Sequence, residues 1–175
     1  MTTLRSALDS FLNEALRLGE IDQFEVVEAA DLTLLRRELG STSVPGYSRT
    51  HKVNPDGGSF IGFWVKAPVG VSVGVDLEFE KMDSSRNQLR RTAAEKLGLS
   101  KEASGKDVLE EWAVREACYK AISHFGERDP NFQDIRRSRP NPNEAQWTDP
   151  VGTLHQLKLR IAHFNEWVFV LAILA

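Results

Sequence analysis

Three carboxylates, a few cations and two hydroxyls carry most of the chemical potential of this 175-residue sequence. Asp76 and Glu78 sit two apart in GVDLE, within VSVGVDLEF (71–79), where Val73, Val75 and Leu77 mark a strand. Side chains two apart on a strand leave the same face. Two acids sharing a face repel, so either the strand end emerges into water there or a cation relieves them. Glu116 and Lys120 stand at i and i+4 in EEWAVREACYKA (110–121), which reads as a helix and also carries Arg115. The plain reading is an exposed ion pair worth roughly 0.2–0.5 kcal/mol, opposite an apolar face of Val114, Ala117, Cys118, Ala121 and Ile122. If Glu116 instead approaches Asp76 and Glu78, three carboxylates meet. A hard divalent cation such as Mg²⁺ then suits them, its other positions going to water and substrate phosphates. Ser48, Thr50 and His51 in YSRTHK precede a turn. Hydroxyls and an imidazole there are either ordinary surface groups or partners for phosphate oxygens.

The elements that must position these groups follow from periodicity and punctuation. Leu4, Leu8, Phe11, Leu12, Ala15 and Leu16 predict one face of a helix over 3–18, stopped by Gly19. FEVVEA (24–29) reads as a strand, and Asp31 caps a short helix to Leu39, closed by Gly40. A Gly- and Pro-punctuated loop (40–46) precedes YSRTHKV, the NPDGG turn and the return strand SFIGFWVKA (59–67). A helix is expected over 84–97, and Ser104 with Asp107 approximates a capping box opening the charged helix, which runs to about Gly126. FQDIRRS reads as a strand and RPNPNEAQWTDPVG as a polar loop. TLHQLKLRIAHF alternates like a half-buried strand, Asn165-Glu166 turns it, and WVFVLAIL reads as a buried strand. The expected class is α+β, an antiparallel sheet with helices packed against it.

Composition sets the frame. The length predicts a single domain over 1–175. A net charge of −3 argues against a general nucleic-acid binder. The lone Cys118 has no internal disulfide partner, which suits a reducing compartment. Arg5, Asp9 and Glu14 interrupt the N-terminal stretch, unlike a signal peptide, and the closing WVFVLAILA falls short of the roughly 20 residues of a spanning helix. The expectation is a cytoplasmic protein with no membrane partner.

In this order and spacing, SRTH (48–51), GVDLE (74–78) and WAVREACYK (112–120) resemble the motifs of the 4′-phosphopantetheinyl transferase superfamily. The resemblance covers roughly 44–175, with 1–43 as a shortened helical N-terminal part beside the two-halved surfactin-type members. It implies the transferase fold and transfer of the phosphopantetheine arm of coenzyme A to a serine of an apo acyl or peptidyl carrier protein. It also implies Mg²⁺ on Asp76, Glu78 and Glu116, with Glu116 as a candidate base. Asp76, Glu116 and Lys120 are then the catalytic group. Thr50, His51, Arg115 and Lys120 fall to the coenzyme A phosphates. Arg115 stands where the family pattern usually has Lys; it keeps the charge but cannot donate a proton near neutral pH. The short N-terminal part leaves open a non-catalytic relative that binds coenzyme A or a carrier protein.

Overall fold

The computed structural model describes residues 3–40, 46–55, 57–80, 92–100, 102–125, 130–138 and 140–174. Helix α1 (Leu4–Arg17) starts at Thr3, whose hydroxyl accepts from the Ser6 N–H while the Ser6 hydroxyl accepts from the Thr3 N–H. Serine thus fills the place a Glu holds in the usual capping box. Leu8, Leu12 and Ala15 form the buried stripe of α1, whereas Leu16, expected on it, is 39% exposed. At 100° per residue it falls beyond the edge of the stripe.

Strand β1 (Gln23–Ala29) leads to α2 (Leu32–Glu38), where Asp31 Oδ1 accepts from the Leu34 N–H at 2.8 Å. Strands β2 (Tyr47–Val53) and β3 (Phe60–Lys66) follow, and all three make one antiparallel sheet of order β1-β3-β2. Strand β4 (Ser72–Phe79) begins the second sheet. The helix expected over 84–97 is described as helical at 92–96; residues 81–91 lie outside the described part. Helix α3 (Gly105–Phe125) opens where Ser104 and Asp107 exchange hydrogen bonds. A one-turn 3₁₀ helix (Phe132–Asp134) then leads into β5 (Ile135–Arg137).

The stretch read as a polar loop contains a further strand, β6 (Glu144–Thr148), paired with β7 (Leu154–Phe164) through Ala145↔Leu157 and Trp147↔His155. Its local pattern is only five residues between turn formers, and the buried Ala145 and the β7 partner decide its conformation. Strand β8 (Trp167–Leu174) completes an antiparallel sheet of order β4-β8-β7-β6-β5. Asn165 makes the β7–β8 turn in a left-handed conformation, φ 53°. The molecule is α+β: two antiparallel sheets with helices packed against them.

Two cores flank the β4–β8 pair. Val73, Val75 and Leu77 join Leu8 and Leu12 of α1, Phe63 of β3, and Phe169 and Leu171 of β8. On the opposite face, Val168, Val170 and Ala172 pack with Val114, Ala117, Cys118 and Ala121 of α3. Every residue of β8 is buried, which explains its unbroken apolar run. Among the described residues, no helix is long and apolar enough to cross a membrane.

Candidate functional site

The site forms where the edges of the two sheets meet. Strands β2 and β4 are the facing edge strands, and they lie against each other. Ser48, Thr50 and Lys52 alternate down β2, and each reaches one rung of β4. The Ser48 hydroxyl accepts from the Val75 N–H at 3.1 Å, taking the place of a ladder carbonyl. Thr50 Oγ1 donates to Asp76 Oδ1 at 3.2 Å, and Lys52 Nζ donates to Glu78 Oε1 at 2.7 Å.

Helix α3 closes the site from the other side, and Gly74 sets how closely it can come. A Cβ at Gly74 would lie 1.8 Å from the Ala117 carbonyl oxygen and 2.5 Å from the Ala121 nitrogen. The backbones are therefore in direct contact, which only glycine permits. Beside this crossing, the Ser72 hydroxyl donates to the Ala121 carbonyl at 2.6 Å. Lys120 Nζ donates to the Val75 carbonyl and to Asp76 Oδ1, both at 2.8 Å. Lys120 thus bonds to β4 rather than forming the exposed i,i+4 pair with Glu116.

Asp76 is the centre of the arrangement. It is 4% exposed, and its Oδ1 takes both the Thr50 hydroxyl and the Lys120 ammonium. Its Oδ2 is buried and has no hydrogen-bond partner among the described residues. A buried carboxylate oxygen left without a donor is costly unless a ligand or water satisfies it. Burial raises the Glu78 pKa above the usual carboxylate value, as does the Asp76 charge, with Lys52 and Lys120 opposing. Burial also raises the pKa of half-buried Glu116; Lys120 opposes this, Asp76 adds to it, and Lys52 opposes it. The three carboxylates therefore share one electrostatic neighbourhood with two lysines.

His51 alternates away from Thr50 and Lys52, on the β2 face where its Cβ lies against Gly62. Burial lowers its pKa, and the cations Arg36, Arg49, Lys52 and Lys120 lower it further, so the ring is neutral at neutral pH. Arg115 is not brought into this group. It is 7% exposed, pairs with Glu111 at 3.0 Å and donates to the Leu97 carbonyl at 2.7 Å, on another side of α3. Cys118 is fully buried and its thiol is pushed far above the ordinary range, which makes it inert core.

Carboxylate oxygens are the right donors for Mg²⁺, and the orphaned Asp76 Oδ2 is the kind of atom a cation satisfies. Among the described residues, however, no group of three or more His, Cys, Asp or Glu side chains has the spacing to hold a metal ion. Lysine ammonium groups stand beside Asp76 and Glu78 instead. Lys52 is the site residue that sequence reasoning missed. Its signal was positional: Thr50 and Lys52 repeat, on the neighbouring strand, the two-residue spacing of Asp76 and Glu78.

No family model matches the chain, and no curated protein matches it at a significant level.

Proposed function

We propose that this protein transfers the 4′-phosphopantetheine arm of coenzyme A to a serine hydroxyl of an apo acyl or peptidyl carrier protein. The observation that carries the reading is Asp76, buried at the meeting point of the SRTH strand, the GVDLE strand and the WAVREACYK helix, with one oxygen left for a ligand. The resemblance assigns Mg²⁺ to Asp76, Glu78 and Glu116, but among the described residues these carboxylates lack the spacing to share an ion, and lysines stand beside two of them. The Lys120 and Lys52 ammonium groups suit the diphosphate oxygens as point charges. Glu116, whose pKa burial raises, would take the serine proton as that oxygen attacks the phosphorus bearing the pantetheine arm. The phosphoanhydride bond inside the diphosphate breaks: the phosphorus bearing the arm stays on the serine oxygen, and the bridging oxygen keeps the electron pair and leaves as part of 3′,5′-ADP. His51 lies on the face of β2 away from the Asp76 group, so its assignment to a coenzyme A phosphate rests on the SRTH resemblance alone.

The test presents fluorescent coenzyme A and Mg²⁺ with a panel of apo carrier proteins and reads label on the carrier by mass. Labelling of a carrier supports the reading; none across a broad panel rejects it. A second reading, a non-catalytic module that binds coenzyme A, is favoured by the lysines already paired with Asp76 and Glu78. Thermal melting with coenzyme A separates the two. A ligand at 100 times its Kd adds about 2.7 kcal/mol, so binding without labelling selects the module.

A further inference from the structure

A cavity of about 890 Å³ opens beside α3 and shares none of its lining residues with the Asp76 group. Among the described residues its charged lining is Lys96, Arg115, Arg136 and Arg137 against Glu95 and Glu111, four cations to two carboxylates. Two of the cations are held in place. Arg115 is clamped by Glu111 and the Leu97 carbonyl, through Nε and Nη2. Arg137 donates from Nε to the Pro142 carbonyl at 2.7 Å and from Nη1 to Glu110 at 2.5 Å. A guanidinium has five N–H donors, so each arginine keeps donors beyond those its fixed partners take. The side chains of Lys96 and Arg136 are exposed, with no side-chain hydrogen bond or ion pair to any described residue. The cavity has ligand-sized dimensions, but its walls are charged where a site for an apolar ligand would be greasy. Planar guanidinium forks held by second partners, with exposed cations beside them, match a multiply charged oxyanion.

We propose that this cavity binds a phosphorylated small molecule through Arg115 and Arg137 at its wall and Lys96 and Arg136 at its mouth. The inference does not depend on the transferase reading, because the Asp76 group takes no part in it. Inorganic pyrophosphate is the probe, titrated calorimetrically into the full chain at low salt. The comparison variants are Lys96→Gln with Arg136→Gln, which alter only exposed side chains, and Lys66→Gln, which removes an exposed cation on β3 that lines neither this cavity nor the Asp76 cleft. The expected result is that the wild type binds and the double variant binds at least about tenfold more weakly, the loss expected for removing charged hydrogen-bond donors. Lys66→Gln should bind like the wild type. Equal binding by the wild type and the double variant would overturn the proposal, and so would an equal loss on Lys66→Gln, which would show general charge attraction only. So would the absence of wild-type binding at millimolar pyrophosphate. A melting curve on each variant checks that the fold is intact.

Discussion

Glu116 is half-buried, and burial first and the Asp76 charge second stabilise its protonated form. The same holds for Glu78. Their folded pKa values lie above the unfolded ones, so the native state keeps protons that the unfolded chain has released. Below the unfolded value both states are protonated and nothing is gained or lost. As pH rises through the raised folded values, stability falls, and it stays lower above them. Glu116→Gln removes one such cost. It should melt like the wild type below pH 4.5, the ordinary value for Glu, and increasingly above it as pH approaches neutrality. Activity should move the other way: losing general-base assistance alone costs about 10²–10⁴-fold. Measured together, carrier labelling and melting temperature across pH should show a more stable, inactive variant. A melting difference that shrinks with rising pH would count against the buried-acid account, and undiminished labelling against the catalytic one.

At the scale of elements, Gly74 governs whether β4 and α3 can deliver Asp76 and Lys120 to each other. The Cβ of Gly74→Ala would meet main-chain atoms of α3, which cannot rotate aside as a side chain can. Overpacking a core costs typically 1–3 kcal/mol, and a backbone clash belongs at or above about 3 kcal/mol. Urea denaturation reads that loss. A cost under about 1 kcal/mol would mean that the helix slides aside freely. The sequence shows where this matters, because Gly74 interrupts an otherwise branched and apolar strand. The paired acids of β4 were readable in the same way, since strand alternation alone places Asp76 and Glu78 on one face. The partner of Lys52 was not, because it depends on two sheets meeting edge to edge through β2 and β4. Arg115 lay beyond reach for a related reason. Helix phase separates it from Glu116, but only the packing of the 92–99 stretch and β5 around α3 decides which partners it finds. Strand β6 escaped because its pairing with β7, more than its own residues, makes it a strand.

At the scale of the whole molecule, residues 3–40 are built into both the first sheet and the shared core. Strand β1 pairs along the full length of β3, and Leu8 and Leu12 of α1 pack with Val75 of β4 and Phe169 of β8. Glu20, 8% exposed between α1 and β1, binds Arg160 and Lys158 of β7, and Arg160 also reaches Glu14 at 3.5 Å. This charge cluster fixes the α1–β1 connection to the second sheet. Removing one partner of a buried ion pair typically costs 3–5 kcal/mol, because the other charge is left without compensation. Here Lys158 is largely exposed and Glu14 remains beside Arg160, so Glu20→Ala should cost less, about 2 kcal/mol. Because the core is shared, the loss should appear as a shift of one cooperative transition, with fluorescence and far-ultraviolet circular dichroism moving together. A fragment of residues 44–175 should then fail to fold, lacking the strand that pairs with β3 and the helix that covers Val75. Two separate transitions in the intact chain, or a folded 44–175 fragment, would show the N-terminal part to be an appendage. A Glu20→Ala cost within about 0.5 kcal/mol, as for an ordinary surface change, would show that its charge cluster holds nothing together.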